Sequence, residues 1–191
     1  MSVIHQNILS GGKYPRTIIV RHVSPDDAAR QLTQSPTNIS PGLDTIFIGI
    51  SYHISDTGTA DFICLASLTH AFILSVHPRT KSGSRLFAAL LQSGVIEDHD
   101  ISAPSPVIEI CLAGFGMARI AVQVRQATEF HVRGVDLSSL HTNTWEPWAP
   151  SKFIAERVDT KVDRFAVARL WMGNQDSAER DTVLQAWLAA W

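Results

Sequence analysis

Residues 45–67, TIFIGISYHISDTGTADFICLAS, decide the fold. Ile46, Phe47, Ile48 and Ile50, with Gly49 among them, form an apolar run rich in β-branched and aromatic residues, the mark of a buried strand. Asp56-Thr57-Gly58-Thr59 supplies the turn formers that end it. DFICLASL reads as a second strand, and HAFILSVH (70–77) as a third. Three consecutive strands joined by short turns make an antiparallel meander. The first strand closes on Ser51-Tyr52-His53, so a hydroxyl and an imidazole stand at its end. Their role is the question the rest of the chain has to answer.

Upstream, RTIIVRHV (16–23) reads as a short strand, and Ser24-Pro25-Asp26-Asp27 opens a helix through Ala28, Ala29 and Leu32. Ser24 suits the N-cap, Pro25 the first helical position, and the two acids the positive end of the helix dipole. QSPTNISPG (34–42) is a loop. Downstream, RLFAALLQ (85–92) is a short amphipathic helix, EDHDISAPSP (97–106) a polar loop, and PVIEICLAGF (106–115) a buried strand. Gly116 leads into the helix MARIAVQVRQA, with Met117, Ile120, Ala121 and Val124 on one face. FHVRGVDL is another strand, TNTWEPWAP (142–150) a loop, and SKFIAERV (151–158) a helix capped by Ser151. FAVARLW and DTVLQAWLAAW complete a helical C-terminal part. This order predicts a single α/β domain over residues 1–191 with a mixed sheet, antiparallel over residues 45–77 and flanked by helices.

Composition is that of an ordinary globular chain: 191 residues, 45% hydrophobic, 18% charged. Sixteen basic and eighteen acidic residues leave a net charge of −2, which argues against a generally basic surface made for nucleic acid. Cys64 and Cys111 both sit in apolar runs and read as buried thiols in a reducing compartment. MSVIHQNILSGGKYPR lacks the features of a secretory signal, and no apolar run reaches the roughly 18 residues of a membrane helix. The expected location is intracellular, nuclear or cytoplasmic, and Asn38-Ile39-Ser40 is then an accidental sequon.

Four stretches carry a family resemblance. IFIGISYH resembles the first strand of the DEDD-type 3′–5′ exonucleases of the ribonuclease H-like superfamily, in the branch with the Werner-syndrome, Rrp6-type and EXD-type enzymes. That strand usually reads as an apolar run, Gly, Phe, then Asp-x-Glu. DFICLAS and HAFILSVH look like the next two strands. AGFGMARIAVQV resembles the second motif, a glycine turn leading into an acid-bearing helix. SKFIAERV, FAVARLW and ERDTVLQAWLAAW resemble the closing helices.

The resemblance implies a ribonuclease H-like mixed sheet and a carboxylate site for two divalent ions, since hard ions want oxygen ligands. Carried across, the Asp-x-Glu pair falls on Ser51 and His53, the second-motif acid on Ile120, the closing acid on Ala189 and its companion tyrosine on Gln185. None of these five positions keeps the family's side chain. The expected final helix, Thr182 to Trp191, contains no Asp or Glu, and neither does Met117 to Ala127. A small shift of register therefore restores no acid. The expectation is a degenerate exonuclease domain that is not an enzyme, with no metal and no cofactor.

Other constellations are weaker. The eight histidines, among them His53, His70, His77 and His99, show no metal-ligand spacing. Gly114-Phe115-Gly116 before a helix offers amides to an anion, though tight strand–helix packing explains the glycines as well. No Gly-x-Ser-x-Gly elbow occurs. Trp145 and Trp148 in TWEPWAP, and Trp187 and Trp191 in the last helix, are candidates for contact with a protein partner. Arg119, Arg125, Arg164 and Arg169 are candidates for phosphate contacts. The functional expectation is a scaffold joining a homo- or hetero-oligomeric protein assembly in RNA processing or RNA silencing, the RNA context resting on the resemblance alone. The alternative is binding of RNA or single-stranded nucleic acid in the former groove without cleavage. A third reading is an active exonuclease with relocated metal ligands.

Overall fold

The structure, a computed structural model, describes residues 1–10, 15–34, 45–76, 85–92, 95–96, 108–140, 149–158, 161–172 and 177–191. In chain order its strands are β1 (Ser2–His5), β2 (Leu9–Ser10), β3 (Thr17–His22), β4 (Thr45–Ile54), β5 (Ala60–Ala66), β6 (His70–Ser75), β7 (Val95–Ile96), β8 (Ile108–Gly114), β9 (Val135–Asp136) and β10 (Lys161–Val162). Its helices are α1 (Pro25–Gln34), α2 (Arg85–Leu91), α3 (Met117–Thr128), α4 (Ala149–Arg157), α5 (Arg164–Leu170) and α6 (Ala178–Ala189).

β4, β5 and β6 form the antiparallel meander that the sequence predicts. The turn between β4 and β5 closes through hydrogen bonds between Ser55 and Thr59 and from the Gly58 amide to the Ser55 carbonyl. Gly58 sits at φ +81°, where a side chain would be strained. On its other edge β4 pairs in parallel with β8, and the C-terminal residues of β8 pair in parallel with β9. The central order is therefore β6-β5-β4-β8-β9, with only β5 reversed and helices on both sides. That is a ribonuclease H-like mixed sheet. β3 adds in parallel to β6, β1 extends it antiparallel, and β7 takes the N-terminal half of the far edge of β8.

Alternation along the strands sorts side chains into two layers. Ile46, Ile48 and Ile50 of β4 join Ile63, Leu65, Phe72 and Leu74 beneath α1, α2 and α3. Cys64, Ala66, Ala71 and Ile73 face the other way, against α5 and α6. α1 starts where expected: the Ser24 hydroxyl accepts from the Asp27 amide (3.2 Å) and donates to the Asp27 carboxylate (2.7 Å).

Several boundaries differ from expectation. β1 was not foreseen, because SVIH is short and gains its pairing only from β3. FHVRGVDL contributes just Val135 and Asp136 to the sheet. α4 begins at Ala149, which puts Ser151 inside the first turn, buried rather than capping. The last helix begins at Ala178, four residues before the expected Thr182. His77, His99 and the proposed loops at 34–42 and 97–106 lie outside the described residues, apart from Gln34. Among the described residues no helix is long and apolar enough to cross a membrane.

Candidate functional site

The two faces of β4 do different things. Ile48 and Ile50 point into the layer under α3. Gly49 and Ser51 point to the reverse face, against α6. A Cβ on Gly49 would overlap the Ala186 carbonyl oxygen and stand 2.8 Å from the Ala190 amide nitrogen, so strand and helix meet backbone to backbone. Two residues on, Ser51 is buried and its hydroxyl donates to the Thr182 carbonyl at 2.6 Å. His53 closes the row at the rim. Its Nδ1 lies 2.9 Å from Asp61 Oδ1, and its ring stacks on Phe62 at 5.0 Å between centroids. The hydroxyl is thus spent on helix docking and the imidazole on a pair with β5.

The remaining positions carried over by the resemblance are not gathered around Ser51. Ile120 is buried on the opposite side of the sheet, in the layer with Ile48 and Ile50. Its Cδ1 fills the space where Gly114 would carry a Cβ, at 2.7 Å. Gln185 donates from Nε2 to the Leu170 carbonyl at 2.6 Å and ties α6 to the end of α5. Ala189 is buried two turns beyond the Ser51 contact, about 10 Å further along the helix by its rise.

The residues beside Ser51 on α6 are instead those of its first turns. Glu179 lies 3.3 Å from His22 Nε2 at the end of β3. The Asp181 carboxylate accepts from the Ser177 hydroxyl at 2.7 Å and is the more sheltered of the two acids. Starting the helix at Thr182 hides both acids from the sequence reading. The signal available was Ser177-x-x-x-Asp181, a serine followed by first-turn acids, which marks a helix start.

A two-metal centre is what the resemblance asks for, and the donors at the matched positions do not fit one. Ser51 and His53 are hydrogen-bonded elsewhere, and Ile120 and Ala189 have no donor atom. Among the described residues no group of three or more His, Cys, Asp or Glu side chains is arranged to hold a metal ion.

The glycine turn at 114–116 also resolves. Asp136, at the end of β9, accepts from the amides of Gly116 (3.1 Å), Met117 (3.0 Å) and Ser138 (2.9 Å). The start of α3 is thus closed by the chain's own carboxylate, and its first amides are not offered to an external anion. Nearby, burial raises the Tyr52 phenol's pKa above its ordinary range, an effect Arg119 partly offsets.

Trp187 is fully buried and donates from Nε1 to the Leu68 carbonyl at 2.9 Å. It belongs to the core and cannot meet a partner in this fold, a correction to the sequence reading. Apolar residues all round α6 reflect its burial between sheet and α5. Trp191 is 41% exposed and packs edge-on to Trp187 at 5.9 Å. Trp145 and Trp148 lie outside the described residues.

Arg119, Arg125, Arg164 and Arg169 are all exposed, but they do not share a groove. The first two ride on α3 and the others on α5, on opposite layers. Arg125 is also engaged with the His131 ring at 3.1 Å. Cys64 is buried, and burial pushes its thiol far up; Cys111 is only half-buried, with its thiol also raised by burial and by Glu109.

No family model matches the chain, and no curated protein matches it. Solved structures do resemble it. The EXD2 exonuclease domain soaked in manganese is 14% identical, covering 87% of this chain and 86% of that one, with a TM-score of 0.43. The same domain soaked in manganese and dGMP gives 14% identity and a TM-score of 0.46 over 87% of both chains. The catalytic core of RRP6 from Trypanosoma brucei is 14% identical and covers 96% of this chain but 48% of that one, with a TM-score of 0.49. The fold assignment rests on the strand order itself.

Proposed function

We propose that this chain is a non-catalytic exonuclease-like domain that serves as a protein-interaction scaffold in an RNA-processing or RNA-silencing complex. The observation that carries the non-catalytic part is Ser51. Where the resemblance expects the first metal-binding carboxylate, a buried hydroxyl docks onto the Thr182 carbonyl. The helix has closed onto the strand there, and the matched position holds structure in place of an ion. The RNA setting follows from the resemblance, and the scaffold role from the loss of donors together with the half-exposed Trp191.

The test has two arms. End-labelled RNA and single-stranded DNA, incubated with magnesium or manganese, should release no mononucleotides above a no-protein control. Tagged protein purified from its native source should then bring down a defined set of proteins in stoichiometric amount. Recovery of RNA alone, with binding that weakens steeply with salt, would favour the nucleic-acid reading.

One observation favours a second reading. Glu179 and Asp181 stand on the turn of α6 that meets Ser51, where relocated ligands would have to lie. Metal-dependent nucleotide release that vanishes in Asp181→Asn, with folding intact, would establish an active enzyme and sink the first proposal.

A further inference from the structure

In the other layer, a cluster of hydrogen-bond donors has fewer acceptors than donors among the described residues. Arg21 of β3 is half-buried on the face that carries α1. Its Nη1 donates to Gln31 Oε1 of α1 at 2.7 Å. Its Nε is buried and, among the described residues, has no hydrogen-bond partner. No carboxylate among the described residues pairs with this guanidinium. A buried donor left unpaired is unfavourable, because its desolvation is not returned.

The neighbours add more donors. Gln31 turns its carbonyl oxygen to Arg21, which leaves its amide nitrogen to donate. His70 lies on β6, on the same face, two pairs before the Arg21–Phe72 pair. Its Nδ1 is 2.9 Å from the Thr69 hydroxyl. A hydroxyl donating to Nδ1 puts the imidazole proton on Nε2, a further donor. Burial, and then the Arg21 charge, hold the His70 pKa below its ordinary value, so near pH 7 the ring is neutral and Arg21 is the cluster's cation.

We infer that Arg21, Gln31 and His70 form a binding site for a small tetrahedral oxyanion of the phosphate class. The guanidinium supplies the charge and a planar fork, and the amide and imidazole supply the lateral donors. The site lies on the β3–β6 pair under α1, in the opposite layer from Ser51, and does not depend on the function proposed above.

Titration calorimetry with inorganic phosphate at constant ionic strength tests it. Wild-type protein should show saturable one-site binding, and Arg21→Gln should weaken it by about tenfold or more, as expected for charge-assisted bonds. Arg30→Gln, which alters an exposed arginine paired with Asp27 on the same helix, should bind like wild type. If Arg21→Gln fails to fold, Gln31→Ala keeps the charge, removes the donating amide and the acceptor of Arg21 Nη1, and should weaken binding about threefold or more, the scale of one neutral hydrogen bond or somewhat above it. Adenosine monophosphate forms a second arm. Affinity equal to that of phosphate assigns recognition to a free oxyanion, and much tighter binding assigns it to the phosphate of a nucleotide. No saturable phosphate binding in the wild type, or an equal loss in Arg30→Gln, overturns the site.

Discussion

The two faces of β4 are packed by different rules. On one, Ile46, Ile48 and Ile50 enter a layer of interlocking side chains with Ile120, Val124 and Phe87. On the other, Gly49 removes the side chain altogether, so the α6 backbone at Ala186 and Ala190 rests on the strand. Side chains can repack by changing rotamer, whereas two backbones in contact have nothing to move. The face that the resemblance associates with chemistry is therefore the less forgiving one.

Adding volume should break this difference most visibly. Gly49→Val places side-chain atoms on the Ala186 carbonyl and should cost more than about 3 kcal/mol, the upper range for overpacking. Urea denaturation should show loss of the cooperative transition or a large fall in its midpoint. If Gly49→Val unfolds like wild type, the close β4–α6 contact is wrong.

Removing volume from the other face should cost less and leave the fold intact. Ile120→Ala deletes buried atoms from the layer under α3 and should cost about 3 kcal/mol with an unchanged m-value. A cost below about 1 kcal/mol would place Ile120 at the surface.

Ser51→Ala sharpens the comparison at the reverse face. Among the described residues the hydroxyl's partner is the Thr182 carbonyl, so the loss should be about 1 kcal/mol, the net worth of a buried hydrogen bond. A gain of stability would point to a polar group kept there for another purpose.

The smallest effect is one of pH. His70 has a folded-state pKa below its unfolded value, chiefly from burial. The unfolded chain therefore binds more protons as pH falls through about 6.5, so stability present above that pH declines toward the lowered folded value. Chemical denaturation at pH 7 and pH 5 should show a drop that is smaller in His70→Phe. An equal drop in both proteins would remove His70 as its source.

Much of the fold was legible because periodicity is local. The apolar runs at 45–50, 62–68 and 70–76 and the helical spacing of Met117, Ile120 and Val124 each identify an element without reference to the others. β1 escaped because a four-residue strand earns its pairing from β3 and not from its own pattern. The site was legible only in part. Ser51 and His53 stand near the strand end as read, and Ser51 meets α6 at Thr182, a contact the sequence reading did not name. Matching the closing motif by its residues could not locate the turn that touches Ser51, since that depends on how α6 slides along β4. Trp187 misled for a related reason: an indole in an amphipathic pattern looks the same whether it faces a partner or the core.

By itself, then, the sequence determined most element types and the antiparallel meander, and it places no carboxylate at Ser51, His53 or Ile120. These are properties of composition and spacing along one chain. Only the tertiary structure decided that Ser51 docks a helix, that Asp136 closes the start of α3, and that the four arginines lie on opposite layers. Each of these joins residues 19 or more positions apart, or compares helices across a sheet. Nothing in local propensity encodes that distance, because it is fixed by how layers of side chains and backbone fill space together.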